Sequence, residues 1–339
     1  MIKMVFVNRS GLKKADAPLF VGILANTMLS VVPGVSGAGP TAEKTLLTPV
    51  LDAELITNGA ITSMPVRPNT PTGCPTPATI TRAMMELLGM TPVFVNAGLV
   101  HTPTVPCLEI YSSPGGDPRY SDAVPDANNI FLKGESVGRF LSQYSDLLVI
   151  GECVPGGTTT ALCVLRALGY PARVSSSYVM NPVGIKEEIW NAVQARVGTL
   201  GPGNPIDIVR ATGDPMMAAA AGIVSGCKGA VLLAGGTQML AVAAILKAMG
   251  KEIPDIAMTC YVRDDPLADI TSTGQAVGAR IFSVDPGFEQ IGHQGLARYC
   301  IGEVKEGMGA GGAMFLAHLQ GFTPEQIRHQ IFSTVSRYQ

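Results

Sequence analysis

Short apolar runs alternate with longer stretches of helical periodicity along most of this chain, and that alternation restricts the fold more than any other feature. The runs at 92–97 (PVFVNA), 146–150 (DLLVI), 230–234 (AVLLA), 256–262 (IAMTCYV) and 279–284 (ARIFSV) are apolar along their length rather than at every second position. A strand needs such a pattern when both of its faces are covered, as they are in a parallel sheet. Helical patterns separate them at 79–88, 158–168, 185–197, 215–225, 237–249 and 323–337. Strand, crossover helix, strand predicts an α/β fold: a doubly wound, mostly parallel sheet flanked by helices, Rossmann-like and three-layered. Ligands of such sheets bind beyond the carboxyl ends of the strands, so the loops that follow strands are the places to look for chemistry.

Several classes of function are excluded early. With 24 basic against 26 acidic residues the formal net charge is −2, and no basic run is present to track a nucleic-acid backbone. The seven cysteines (74, 107, 153, 163, 227, 260 and 300) are odd in number, scattered and never paired as CxxC. That pattern predicts reduced thiols in a cytoplasmic protein rather than a disulfide framework or a zinc site. The four histidines (101, 293, 318 and 329) lack ligand spacing, so no metal and no cofactor is expected. Two stretches invite a membrane reading. The run at 17–33 follows Lys13 and Lys14 as a signal core would, but an apolar segment at 4–7 precedes it where a charged region belongs. The run at 229–246 is broken by Gly235-Gly236-Thr237-Gln238 into a short strand and a capped helix. Segment 64–77, with five prolines, predicts a stiff loop.

Three motifs carry chemistry. Directly after the run at 146–150 comes Gly151-Glu152-Cys153-Val154-Pro155-Gly156-Gly157-Thr158-Thr159-Thr160. Gly156 and Gly157 permit close backbone approach, and the threonines lie where a helix start leaves amides unpaired, which suits a phosphate or carboxylate. The plainer alternative is a tight turn with Thr158 as the helix N-cap. Glu152 at a strand end calls for pairing or a function. Cys153, with no histidine within twenty residues, is a poor candidate nucleophile. Downstream, Ser175, Ser176, Ser177 and Lys186 offer hydroxyls and a cation to an anion, or else form a polar loop and a solvated helix face. Finally, Glu306-Gly307-Met308-Gly309-Ala310-Gly311-Gly312-Ala313 opens a core helix. Its glycines serve either close helix packing or a cradle of amides beside a general base. It is not GxGxxG after a first strand, so it gives little support to a dinucleotide site.

In this order the motifs resemble those of the nicotinate-nucleotide:dimethylbenzimidazole phosphoribosyltransferases. The segment 151–161 is similar to that family's Glu followed by a Gly/Thr-rich turn. Ser175, Ser176, Ser177 and Lys186 stand where it has a Gly-rich phosphate loop and a helix with a Lys. The segment 204–215 resembles its DPLxVLxxxGG, and Gly292-His293 its Gly-His loop. Glu306-Gly307-Met308-Gly309-Ala310 resembles its EGTGA, whose Glu is the catalytic base, and Gly34-Val35-Ser36 resembles its GVS, whose Ser lies in the base pocket. The likeness runs from about residue 34 to 315. It departs at Val154-Pro155, where the family has a Gly-Asn pattern, at the serines that replace most phosphate-loop glycines, and near Glu43 and Lys44, where no base-pocket Gln is found. A divergent branch is implied.

The resemblance implies transfer of phosphoribose from nicotinate mononucleotide to 5,6-dimethylbenzimidazole or an analogue. The product is an α-ribazole phosphate for the cobalamin nucleotide loop. Glu306 is expected as base, Glu152 as a second catalytic carboxylate, and Ser36 in the base pocket. Gly156, Gly157, Thr158, Ser175, Ser176, Ser177, Lys186 and Gly307 are expected around phosphate and ribose. No composition shift marks a boundary, so 1–339 is expected to form one catalytic unit, with a smaller helical lobe from the N-terminal segment and the helix at 323–337. A homodimer is implied, with small-molecule substrates and neither nucleic acid nor membrane as partner. Two other readings stay open: a nucleotide sensor without turnover, and an NAD-dependent oxidoreductase.

Overall fold

The computed structural model describes residues 11–198 and 203–338; the apolar segment at 4–7 weighed above lies outside them. The strands are β1 (Pro18–Leu24), β2 (Val93–Asn96), β3 (Cys107–Glu109), β4 (Leu147–Cys153), β5 (Ala230–Ala234), β6 (Asp255–Thr259) and β7 (Ile281–Val284). They form one sheet in the order β3-β2-β1-β4-β5-β6-β7, and every neighbouring pair is parallel. The chain steps outward from β1 to β3, returns to the other side of β1 as β4, and then steps outward to β7. The order therefore reverses between β1 and β4, and a crevice opens at their carboxyl ends.

The helices are α1 (Ala42–Asn58), α2 (Pro77–Leu88), α3 (Ala127–Leu141), α4 (Gly157–Ala167), α5 (Val183–Val197), α6 (Pro205–Thr212), α7 (Pro215–Gly226), α8 (Thr237–Ala248), α9 (Cys260–Arg263), α10 (Ile270–Val277), α11 (Gln294–Ala297), α12 (Ala310–Leu319) and α13 (Pro324–Val335). Local signals place several starts. Pro occupies the first helical turn of α2, α6, α7 and α13, where its missing N–H costs nothing. Asp214 caps α7, and Thr323 with Gln326 forms a capping box on α13.

Two apolar layers sandwich the sheet. Val21, Ile23, Leu148, Ile150, Leu233 and Ile256 face the layer built from α3, α4, α7 and α8. Phe20, Leu24, Leu147, Val149, Leu232 and Phe282 face the opposite layer, which includes Ala53 of α1, Ile80 of α2, Phe315 of α12 and Ile331 of α13. A third, small cluster of Leu29, Val35, Cys163, Ile189 and Val193 ties the segment after β1 to α4 and α5.

The run at 230–234 coincides with β5, and α8 follows after Gly235-Gly236 as expected. Other boundaries need correction. The run at 17–33, weighed as a signal core, holds the buried strand β1 that lies between β2 and β4. Residues 151–153 belong to strand β4 and not to a loop, while 260–262 leave the expected strand for α9. Among the described residues no helix is long and apolar enough to cross a membrane.

Candidate functional site

Side chains alternate along a strand, and at the end of β4 this parity distributes the chemistry. Leu148 and Ile150 face α4 and α8, so Glu152 points the same way; Gly151 and Cys153 point to the α1 and α12 side. Glu152 is buried, and its Oε2 accepts hydrogen bonds from the Val154 N–H (3.0 Å) and from Nε2 of Gln238 at the start of α8 (2.6 Å). Burial, reinforced by the nearby carboxylates of Asp214 and Glu306, pushes its carboxyl up to about 8. Gln238 reaches it only because residue 157 is glycine: a Cβ there would lie 2.2 Å from the Gln238 Nε2. The Gly157 N–H is itself taken by the Val154 carbonyl (2.9 Å). Gly156, at φ 79°, is the N-cap of α4, which corrects the N-cap assignment to Thr158. Both glycines thus serve the packing of this turn, Gly156 against Ser30 and Gly157 against Gln238.

Glu306 approaches from the loop before α12. Its Oε2 accepts the Thr259 N–H at the end of β6 (2.8 Å), and its Oε1 accepts the N–H groups of Gly307 (3.1 Å) and Gly311 (3.2 Å). The Gly307 amide is therefore spent on the carboxylate. Glu306 is half-buried and open to the cleft on one side. Desolvation nonetheless pushes it up to about 7, against the pull of those amides. The following glycines have the plainer of their two roles: a Cβ on Gly312 would lie 2.2 Å from that of Ala234, so α12 can start directly on the sheet only without side chains there. Met308 is held at φ 47°, a left-handed conformation that costs a non-glycine residue about 1–2 kcal/mol. Its N–H donates to the Glu152 carbonyl (2.9 Å) and its carbonyl accepts the Thr81 hydroxyl (2.9 Å). The strained residue is pinned on both sides and fixes the loop of one carboxylate to the strand of the other.

The opposite wall of the cleft is made of hydroxyls and lysines. Ser175, Ser176 and Ser177 come together as expected, and Thr158 Oγ1 lies 2.9 Å from Ser176 Oγ. Ser177 Oγ accepts the Lys305 N–H (3.1 Å). Lys186 is not on a solvated face: it is 3% exposed, lies behind Ser176 and donates to Ser176 Oγ (2.5 Å). Burial, and then Lys305 nearby, pull its ammonium down to about 7. The lysine that lines the cleft is Lys305, which donates to Asp265 Oδ2 at 2.7 Å. Asp265 also accepts from Ser175 Oγ (2.5 Å). Burial would raise Asp265, but these hydrogen bonds hold it below its ordinary value.

Lys305, Asp265 and Gln238 had no local signal as site residues. Lys305 could have been found as the cation adjoining Glu306, but its pairing with Asp265, forty positions away, is purely tertiary. Ser36 lies in the segment between β1 and α1. A Cβ on its neighbour Gly37 would lie 3.1 Å from the Ser177 carbonyl, so this segment borders the serine wall. Gly292-His293 is used differently: His293 Nδ1 accepts the Leu296 N–H (3.1 Å) as the N-cap of α11. Cys153 donates to Asp52 (3.5 Å), and burial raises its thiol well above the ordinary range, which removes it as a nucleophile.

Glu152, Glu306, Thr158, the three serines, Lys305, Val262 and Gly236-Thr237-Gln238 line a narrow cleft at the carboxyl ends of the strands. A shallower depression at Arg166, Tyr170 and Trp190 lies at the other end of α4, away from every carboxylate described above. The cleft arrangement can hold an anion against hydroxyls and a lysine, and it sets two carboxyl groups, both raised by desolvation, on its floor.

In fold the chain is similar to a nicotinate-nucleotide-dimethylbenzimidazole phosphoribosyltransferase from Thermus thermophilus, with a TM-score of 0.62 at 17% identity over 93% of this chain and 84% of that one. A structure of CobT from the same organism gives 0.63 at 17% identity, over 92% and 84%. No family model matches the chain. In sequence it is 41% identical over 338 residues to a UPF0284 protein of Methanosarcina mazei, spanning 97% of both chains. It is 43% identical over 327 residues to a UPF0284 protein of Methanothermobacter thermautotrophicus, spanning 92% of this chain and 91% of that one. With that identity held over nearly its whole length, the chain belongs to the UPF0284 family.

Proposed function

We propose that this protein transfers the phosphoribosyl group of nicotinate mononucleotide to a heteroaromatic base of the 5,6-dimethylbenzimidazole kind. One observation carries the reading. A carboxylate held by backbone amides on both oxygens, Glu306, opens onto a cleft whose far wall is Ser175, Ser176, Ser177 and Lys305. The phosphate lies against that wall, and the ribose lies over the end of β4. One ring nitrogen of the base attacks the anomeric carbon from the α face as the bond to nicotinate breaks, and nicotinate departs with the bonding electrons. Glu306 takes the proton from the other ring nitrogen, so the base is uncharged in the product, an α-ribazole phosphate for the cobalamin nucleotide loop. With its carboxyl raised to about 8, Glu152 is protonated at neutral pH. It therefore positions the base or ribose by hydrogen bonding and does not supply a negative charge to the ribosyl centre.

On this reading Ser36 borders the base, residues 1–339 act as one catalytic unit with no cofactor, and the enzyme is a cytoplasmic homodimer in a pathway of small molecules. The test is release of nicotinate on mixing the protein with nicotinate mononucleotide and a panel of benzimidazoles and simpler azoles. Absence of nicotinate and of any ribosylated base, with every base supplied, defeats the proposal.

A further inference from the structure

Three helices start at the cleft, and their amides are used differently. Those before α12 are occupied by the protein's own Glu306 carboxylate. At the start of α4 the Gly157 N–H is given to the Val154 carbonyl. The start of α8, like those of α4 and α12, is capped by no side chain: its N-cap is Gly236, and the helix then runs for 12 residues. The first side chain of that helix, Thr237, is 5% exposed and lines the cleft, and its hydroxyl has no hydrogen-bond partner among the described residues. A buried hydroxyl without a partner costs about 1–3 kcal/mol, so its persistence beside an open cleft calls for an occupant. The amides at a helix start are donors that carry the positive end of the macrodipole, and the hydroxyl can donate as well. Gly236 and Thr237 share the cleft with Lys305 and with the hydrogen-bonded pair Thr158–Ser176, which keeps one hydroxyl proton to donate. A group that only accepts hydrogen bonds and carries negative charge satisfies every one of them.

We infer that the start of α8, with the Thr237 hydroxyl, completes the anion subsite that the serine and Lys305 wall begins and receives the phosphate of a nucleotide. The α4 turn, to which the sequence motif points, also makes room for Gln238. The identity of the nucleotide rests on the function proposed above; the subsite itself does not, because inorganic phosphate probes it alone.

The experiment is calorimetric titration of the full-length parent, Thr237→Val and Thr237→Ser with three probes: inorganic phosphate, nicotinate mononucleotide, and the corresponding nucleoside without its phosphate. Valine keeps the shape and removes the hydroxyl. It should weaken phosphate and mononucleotide by about tenfold or more, the worth of one hydrogen bond to a charged group. It should leave the nucleoside unchanged, and Thr237→Ser should bind like the parent. Because the hydroxyl makes no internal bond, unliganded Thr237→Val should melt no lower than the parent. Undiminished affinity of Thr237→Val for phosphate and mononucleotide overturns the inference, as does a parent that binds neither. A lowered melting temperature with equal losses for all three probes assigns Thr237 to the fold and also overturns it. Thr237-dependent phosphate binding without nicotinate release keeps the subsite and removes the proposed reaction.

Discussion

Replacing Glu152 by Gln should stabilise this protein, and by more as the pH rises. In the folded chain the Glu152 carboxyl is pushed from 4.5 to about 8 by burial and by the neighbouring carboxylates of Asp214 and Glu306. Between those values the native state holds a proton that the unfolded chain has released, so stability falls as pH rises through the window and the loss is complete above about 8. At about 1.4 kcal/mol per pH unit the full penalty has an upper figure of about 5 kcal/mol. Relaxation and water entry reduce it, so we expect a gain of at least about 2 kcal/mol at pH 8.5 and little below pH 5. The geometry allows the exchange. Both hydrogen bonds, from Val154 and Gln238, reach Oε2, so a carboxamide oxygen can accept both while its NH₂ group takes the place of the other oxygen. The assay is denaturant unfolding of parent and Glu152→Gln at half-unit steps from pH 5 to 9. A stability difference that stays flat across this range, or a variant less stable than the parent at pH 8.5, would falsify the account of Glu152 as a buried, proton-holding carboxyl.

Glu306→Gln should lower transfer by about 10²–10⁴-fold, and the parent's rate should rise with pH through about 7 as Glu306 ionises. Because both Glu306 oxygens accept backbone N–H groups, a carboxamide must turn its NH₂ toward a donor. Activity is therefore to be compared per folded molecule, and an undiminished rate on that basis removes Glu306 from catalysis. Lys186→Met should raise stability below pH 7 and lose the advantage toward pH 10.5. The buried ammonium releases its proton at about 7 in the folded chain and at 10.5 in the unfolded one, so the unfolded state holds more protons in that window and the parent regains stability as pH rises. A stability gain that does not shrink with pH in urea titrations refutes this. Gly157→Ala places a Cβ 2.2 Å from Gln238 Nε2, so it should displace Gln238 and lower the rate with a modest drop in melting temperature. Parent-like kinetics would show that the contact between Gln238 and Glu152 is dispensable.

The parts of this structure legible from sequence are those whose signals are local. Strand β5 and helix α8 can be read because Gly235-Gly236 separates two apolar runs of different period, and α13 because Thr323-Pro324 and Gln326 write its start. Glu306 is legible because the glycines beside it mark a backbone that must pack without side chains. Strand β1 is not, because its apolar run continues without punctuation into the segment that packs over α4 and α5. The long helix α1 carries Pro49 within it, together with buried Asp52 and Glu54, and so lacks a clean apolar stripe. The extension of β4 to Glu152 and Cys153 depends on Gly151, where a Cβ would lie 3.2 Å from the Gly309 Cα, a contact between segments far apart in the chain. The role of Lys186 escapes the sequence for a related reason. Helical periodicity gives the face of a helix, but only the packed loop at 174–176 shows that this face is covered.

The same non-local placement gathers several groups that oppose folding around the end of β4. Asp52, Glu152, Asp214 and Glu306 are all raised by burial, to about 7, 8, 6 and 7 respectively. A chain selected for stability alone would replace such groups with neutral isosteres. Thr160 satisfies Asp214, and Cys153 and Thr76 satisfy Asp52, so those two are tied into the protein interior. Glu306 and the hydroxyl of Thr237 differ, because one opens onto the cleft and the other has nothing to bond within it. A strained Met308 and a half-open carboxylate also meet at the end of β4. Stability has been surrendered most visibly around this cleft, and strained backbone and perturbed carboxyl groups gathered in one place are what the proposed function would require.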